Sequence, residues 1–297
     1  MISDYRENLN GEFQIFFNNS RPPGRLHIHN QLELVLVCCD GISCRLEDRI
    51  VPVPKGSLLT FNDTDLHGLY SQTDGVFPRY ILYFSPAFIS GSSASDINLL
   101  GCFYRRNLKK PNMVFPDKSH QEQCIAYLME LKALDEQPDA FARRLRQQLI
   151  LGQLLLIAAE EQYRISPETD CQTSPDSAIV YQAMSYIRAN LTEPLSLSQL
   201  SRQFLISQTR LHDAFRRITG DSPGSYIIHC RIACAKDLLL RGFSVEQAAL
   251  KAGYGNLSHF CRIFRQCTGM TPKQYQKKQQ NAQSHIYQLI HIITNFS

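Results

Sequence analysis

The feature that most constrains this 297-residue chain is an internal repeat near its C-terminus. Gly220, Pro223 and Tyr226, in the string TGDSPGSY, recur 49 residues later as Gly269, Pro272 and Tyr275 in TGMTPKQY. Phe215-Arg216 matches Phe264-Arg265 and Leu211 matches Phe260 in the same register, whereas Leu200-Ser201 matches Ala248-Ala249 at an offset of 48. The second copy therefore carries one extra residue in its turn. Self-similarity of this kind points to one supersecondary unit used twice.

Each copy reads as two short helices around a turn. In the first, Ser196 or Ser198 is placed to cap a helix through Phe204, and a turn follows at Leu205-Ile206. Ser207 then caps a second helix with Leu211, Phe215 and Ile218 on its buried face. In the second copy Ser244 caps a helix through Ala252, Gly253 supplies a permissive turn backbone, and Asn256 caps a helix with Phe260, Ile263 and Phe264 inward. Between the units, Pro223 to Leu240 reads as one continuous helix with proline in its first turn.

The outward residues of the two second helices suit base edges and phosphates. The first offers Ser207, Gln208, Thr209, His212, Asp213 and Arg216; the second offers Asn256, Leu257, Ser258, His259, Cys261, Arg262 and Arg265. Arginine bridges guanine O6 and N7, hydroxyls reach bases or phosphates, and helix N-termini favour phosphate oxygens. Asp213 sits awkwardly beside a polyanion and needs cytosine N4 or a neighbouring arginine as partner. The bland alternative is a pair of solvated helix faces. Charge favours the first reading: residues 176–297 hold 14 Lys/Arg against 6 Asp/Glu, and residues 1–175 hold 17 against 21.

The rest of the chain is organised differently. Up to about residue 115, runs such as Leu32–Cys38, Leu58–Phe61 and Tyr80–Phe84 alternate with turn-like Asp40-Gly41, Pro54-Lys55-Gly56 and Thr73-Asp74-Gly75. This spacing predicts an antiparallel barrel or sandwich. Residues 119–163 switch to helical periodicity, with Ile125, Leu128, Met129 and Leu134 on one face. Asp139 is placed to cap a second helix whose stripe is Phe141, Leu145, Leu149, Gly152, Leu156, Ala159 and Tyr163. That stripe packs within the subunit or forms a dimer seam. The polar segment from Ile165 to Ser177 reads as a linker.

Met1 to Asn10 does not read as an export signal, and Leu149 to Ala159 is too short for a membrane span, so a cytoplasmic protein is expected. Of the ten cysteines, none forms a CxxC pair, and small buried side chains are the simplest account of them.

Residues from about 178 to 278 resemble the DNA-binding domain of the AraC/XylS family. The second half carries the likeness, through Arg231-Ile232, Ala235, Leu238-Leu239, Val245, Ala248-Ala249, Gly253-Tyr254, Asn256, Phe260, Arg262, Phe264, Gly269, Pro272 and Tyr275. Ala248 stands where a larger aliphatic residue is usual, and the tail Ser284 to Phe296 runs past the point where the family tends to end. The resemblance implies that one subunit reads two adjacent major grooves, usually at promoters.

Within the strand-rich region His27, His29 and Glu33 form H-x-H-x3-E, with His67 on a later strand. This pattern resembles the first cupin motif, and Pro54-x-Gly56 with His67 resembles the second. Three readings share these residues: a metal site, an effector pocket, or polar side chains at a sheet edge with no ligand. Sensor domains of the family commonly keep the His and Glu positions without metal, which favours the pocket. Tyr70, Tyr80 and Tyr83 are nearby candidates for stacking on a sugar or aromatic ligand.

The expected fold class is thus multi-domain β + α: an N-terminal cupin-like antiparallel β-barrel with a helical pair, then an all-α double helix-turn-helix domain. The expected boundaries are 1–164 for effector binding and dimerisation, 165–177 for the linker, 178–280 for DNA binding and 281–297 for the tail. The effector residues are His27, His29, Glu33, His67 and Tyr83. Expected partners are double-stranded promoter DNA, a small-molecule effector such as a sugar, a second subunit and RNA polymerase, with no membrane. Neither catalytic residues, metal nor resident cofactor is assigned. Two rivals are a metal-dependent cupin oxygenase fused to a DNA-binding domain and an architectural DNA binder that ignores ligands.

Overall fold

The computed structural model describes residues 12–22, 24, 26–29, 31–46, 49–71, 75–90, 99–104, 113–165 and 176–279. Its strands are β1 (Phe13–Asn18), β2 (Leu32–Val37), β3 (Ile42–Leu46), β4 (Arg49–Val53), β5 (Leu58–Phe61), β6 (His67–Ser71), β7 (Arg79–Phe84) and the short β8 (Met113–Val114). They form a five-stranded sheet ordered β1-β7-β2-β5-β8 and a three-stranded sheet ordered β4-β3-β6. Every pairing is antiparallel. The expected barrel is therefore two sheets rather than one closed ring among the described residues, with an isolated bridge between His27 and His67 at their margin.

Strand β2 explains the layering. All of its residues are buried, because both faces of the larger sheet are covered. Val35 and Val37 point between the sheets, where they meet Leu59, Phe61, Ile42, Cys44, Val53 and Leu69. Leu32, Leu34 and Leu36 point the other way, into a larger core shared with helices. By the same alternation Glu33 faces the inter-sheet space.

Two short helices, α1 (Pro86–Ser90) and α2 (Gly101–Tyr104), follow β7, and two long ones, α3 (Lys118–Asp135) and α4 (Arg143–Ile165), follow β8. The buried face of α3 is Cys124, Leu128, Leu131 and Leu134, whereas Ile125 and Met129 are exposed. Helix α4 buries Ile150, Leu151, Leu154, Leu155, Ile157 and Ala158. The expected stripe through Leu145, Leu149 and Leu156 exists, but it faces outward; Ala159 alone of that stripe is buried. Asp139 does not cap α4, which starts at Arg143 after Ala142 in the left-handed region at φ 51°.

The remaining helices are α5 (Ser177–Ala189), α6 (Leu197–Gln203), α7 (Gln208–Thr219), α8 (Pro223–Leu240), α9 (Val245–Lys251) and α10 (Leu257–Thr268), with residues 272–279 again helical. The repeat is now physical. Thr219 and Thr268 each donate from Oγ1 to the carbonyl four residues back, at 2.8 Å, and each accepts from the amide two residues on. Gly220 and Gly269 then end their helices in the left-handed region at φ 82° and 74°, where a Cβ costs energy. The shorter turn of the first copy places Leu205 at φ 52°, and the longer turn of the second places Gly253 at φ 87°.

The two halves of the chain share cores. Helices α5 and α7 contribute Val180, Met184, Leu211 and Phe215 to the same cluster as Phe88, Ile89, Leu100 and Phe103 of the sheet-bearing half. Leu26, Ile28 and Leu66 join the cluster built by Ile232, Leu239, Phe260, Phe264 and Tyr275. The linker lies largely outside the described residues, at 166–175, as do residues 280–297 and with them the tail.

Candidate effector site and nucleic-acid interface

The buried polar cluster between the sheets is set by strand register. Glu33 pairs across the sheet with Phe61 on one side and Tyr83 on the other. His67 opens β6, and its backbone exchanges two hydrogen bonds with His27, at 2.8 and 3.1 Å. These pairings bring Glu33, His29 and His67 together although they are scattered in sequence. His29 Nε2 lies 2.6 Å and His67 Nε2 2.7 Å from the same Glu33 oxygen, Oε2. His29, Glu33 and His67 are almost fully buried.

The other nitrogen of each ring is also held. Nδ1 of His29 lies 2.8 Å from the Gln31 carbonyl, and Nδ1 of His67 lies 3.1 Å from the Asp65 carbonyl. A carbonyl only accepts, so both Nδ1 atoms carry the proton. Phe61 stacks on His67 at 3.9 Å with ring planes 6° apart, and Tyr83 meets the His29 ring edge-on at 5.1 Å. Burial alone raises the Glu33 carboxyl, but the His67 and His29 imidazoles outweigh it and hold the group well below the usual carboxylate range.

The structure thus brings together His27, His29, Glu33, His67 and Tyr83, all of them expected from sequence. It separates Tyr70 and Tyr80 from them. Tyr80 alternates to the opposite face of β7 and packs against Phe17, while Tyr70 lies opposite Ser43 on the outer face of β6. One aromatic residue went unpredicted: Phe16, 46% exposed, meets Tyr83 edge-on at 6.2 Å and puts an apolar lip beside the cluster.

The second candidate surface consists of α7 and α10. Ser207 and Asn256 cap them as expected, each accepting from the amide three residues on. Ser196 and Ser244 likewise cap α6 and α9, and Gln247 completes a reciprocal capping box with Ser244. Leu211, Phe215 and Ile218 of α7 and Phe260 and Phe264 of α10 are buried. What remains outward is Gln208, Thr209, Asp213 and Arg216 on α7, with His212 half-buried. On α10 it is Leu257, Ser258, His259, Arg262 and Arg265. Asp213 finds its partner in the adjacent His212, at 3.2 Å, rather than in an arginine. Arg210, not singled out by sequence, is tied at 2.7 Å to Asp176 at the start of α5.

A rigid brace relates the two units. Arg231 of α8 donates to the Leu191 and Glu193 carbonyls, at 3.0 and 2.8 Å, and its guanidinium lies over Tyr254. Gly253 packs so closely on the same turn that a Cβ there would lie 2.0 Å from the Leu191 oxygen. Among the described residues no helix is long and apolar enough to cross a membrane.

Comparison with known proteins agrees with this layout. Residues 17–155 match the family described as AraC-like ligand binding domain, and residues 200–278 match the family described as Helix-turn-helix domain. The chain is similar to the HTH-type transcriptional activator RhaS of Salmonella dublin, at 25% identity over 252 residues, covering 83% of this chain and 85% of that one. It is also similar to the HTH-type transcriptional regulator GadX of Escherichia coli K12, at 26% identity, covering 54% of this chain and 57% of GadX. Among solved structures, ToxT from Vibrio cholerae aligns over 90% of this chain and 98% of its own at 14% identity and a TM-score of 0.43.

Proposed function

As the chain belongs to the AraC/XylS family of transcription regulators, with a ligand-binding domain ahead of its DNA-binding region, we propose that α7 and α10 enter successive major grooves of promoter DNA. The single observation that carries this is the matched pair of capped helices with exposed polar faces, braced on one helix, α8. Successive grooves on one duplex face lie about 34 Å apart, and a rigid connector fixes the spacing of two readers. Gln208, Thr209 and Arg216 would read or anchor one groove, and Ser258, His259, Arg262 and Arg265 the next.

The effector reading rests on the buried cluster. His29, Glu33 and His67, with His27 and Tyr83, would bind a polar small molecule such as a sugar, and Phe16 would line its approach. Leu26, Ile28 and Leu66 flank the cluster in sequence and pack into the core of the second helix-turn-helix unit. An effector that prefers one arrangement of those contacts changes promoter occupancy by its differential affinity for the two arrangements. The outward stripe of α4 would seat a second subunit, giving four reading helices at a tandem site. The named relatives are transcription regulators, which favours regulation over the oxygenase alternative. A cytoplasmic location and contact with RNA polymerase follow from the same reading.

The deciding experiment is binding of the purified protein to its own upstream region against random competitor DNA at two salt concentrations. A protected footprint of two adjacent helical turns per subunit that survives competitor is expected. Equal loss to any DNA, with a steep salt slope and no effector able to restore discrimination, would overturn sequence-specific reading in favour of an architectural role.

A further inference from the structure

Helix α5 starts without the cap that six other helices have. Asp117, Ser196, Ser207, Ser222, Ser244 and Asn256 each precede a helix, adopt extended backbone geometry and accept from the amide three residues on. Asp176 holds the same place before α5, and aspartate is among the best residues for it. Its carboxylate nevertheless makes no capping bond, and its backbone lies at φ −91° and ψ 6°, outside the extended region. Both carboxylate oxygens are turned to Arg210 of α7 instead. Nε of Arg210 donates to Oδ2 at 2.9 Å, and Nη2 lies 2.7 Å from Oδ1. This is the two-pronged geometry of a strong guanidinium–carboxylate pair. Asp176 is buried, whereas the Arg210 side chain is 63% exposed.

Arg210 stands on the flank of α7, between its buried and outward faces. Leu211, Ala214, Phe215 and Ile218 fill the core, and Thr209, Asp213 and Arg216 point out. At about 100° per residue, position 210 falls between Ala214 and Asp213. When a helix lies in a groove, its outermost face meets base edges and its flanks meet the phosphates on either side. Taking α7 as such a helix, and so resting on the function proposed above, we propose that Arg210 is a further phosphate-anchoring residue and that Asp176 withholds it from DNA in this arrangement of the chain. In the alternative arrangement the guanidinium turns to a phosphate, and the Asp176 carboxylate turns to the amides at the start of α5, as the six caps do. Each arrangement leaves both charges with a partner, so the exchange avoids the penalty of a buried, unpaired carboxylate. A mostly exposed ion pair is weak enough for a phosphate to displace, yet it subtracts from every binding event that needs Arg210.

The test measures affinity of the full-length protein for its own upstream region and for random DNA over a series of salt concentrations. Asp176→Asn removes the charge of the tether and keeps a good capping side chain. It should bind DNA roughly 2- to 5-fold more tightly at low salt and steepen the log–log salt slope by about 0.9, the mark of one added phosphate contact. Arg210→Lys keeps the positive charge but loses the fork that grips the carboxylate, so it should shift affinity the same way. As an exposed substitution, it carries the test should Asp176→Asn fold poorly. On an Arg210→Gln background, Asp176→Asn should change nothing. A gain that persists there comes from removing any negative charge near DNA and overturns the proposal, as does an unchanged slope in both Asp176→Asn and Arg210→Lys. Equal binding to both DNAs with the slope change present leaves the tether standing and removes sequence-specific reading. Specific binding without the slope change does the reverse, and a chain that binds neither DNA loses both.

Discussion

The Asp63 carboxylate lies 3.0 Å from the Arg188 guanidinium, and this buried ion pair joins the turn between β5 and β6 to helix α5. The Tyr226 hydroxyl of α8 donates to the same carboxylate at 2.7 Å. The turn also leads into His67, so the buried His/Glu cluster and helices α5 and α8 are linked through a few residues. Removing one partner leaves a buried charge unpaired, which costs about 3–5 kcal/mol. Asp63→Ala is therefore expected to split or lower the thermal unfolding transition and to blunt any effector-dependent change in DNA affinity. Calorimetry with and without effector checks this, and an unaltered transition would remove the pair from the coupling.

The same cluster sets an alkaline limit. Burial, and after it the negative charge of Asp63, pushes the Tyr226 and Tyr104 phenols and the Cys230 thiol well above their ordinary ranges. For a group whose folded value is raised, the stability it contributes is fully present below its unfolded value and is lost as pH rises beyond it. The unfolded phenol titrates near about 10 and the thiol near about 8.5. Stability from this cluster should hold at neutral pH and decline above roughly pH 9 to 10. Melting temperatures across that range, compared between wild type and Tyr226→Phe, measure it; a variant with the same alkaline slope would count against the cluster as the cause.

Gly253 is held in place by more than its turn. Its φ of 87° disfavours any Cβ, and the Leu191 carbonyl occupies the space a Cβ would need. Gly253→Ala should cost about 2–4 kcal/mol, combining left-handed strain with displacement of a packed backbone. Because that contact braces α9 and α10 against the end of α5, affinity for a two-groove site should fall more than affinity for a half-site. Denaturant unfolding and binding to both DNA lengths test the two parts; equal losses on both lengths would deny the bracing role.

What sequence revealed and what it hid divide along the range of the interactions. Ser196, Ser207, Ser244 and Asn256 were legible as caps because a cap bonds an amide only three residues away. The buried faces of α7 and α10 followed from spacing for the same reason. Helix α4 has two apolar stripes, and periodicity does not say which one meets the core, so spacing alone groups buried Ala159 with the exposed Leu145, Leu149 and Leu156. The separation of Tyr80 from Tyr83 was readable from strand parity, since residues three apart face opposite sides. The Asp63–Arg188 pair left no such trace, because partners distant in sequence follow no local period.

In the repeat register Arg216 matches Arg265, whereas Arg262 stands where the first copy has Asp213, so the exposed faces of α7 and α10 differ at this position. Arg262→Ala should weaken DNA binding by about 1–3 kcal/mol and relax preference at one position if the guanidinium bridges a guanine. A phosphate contact would instead lower affinity for all site variants and reduce the salt slope by about one. Affinities over a panel of single-base variants at two salt concentrations separate these cases, and unchanged affinity excludes Arg262 from the interface.

The outward stripe of α4 makes the last prediction. Phe141 just before the helix is 86% exposed and Leu149 58%, and Leu145, Leu156 and Tyr163 continue the line at helical spacing. Isolated exposed leucines are ordinary, but a line of exposed apolar residues along a 23-residue helix, interrupted at buried Ala159, presents an apolar seam of the kind helix pairs bury against each other. The opposite face of α4 already fills the core, so a charge on the stripe should leave the fold intact. Leu149→Glu is expected to convert a dimer to a monomer with a melting temperature lowered only by the lost association. Sedimentation of wild type and variant over a concentration series reads the change. A monomeric wild type, or a dimer indifferent to the substitution, places any second subunit elsewhere on the molecule.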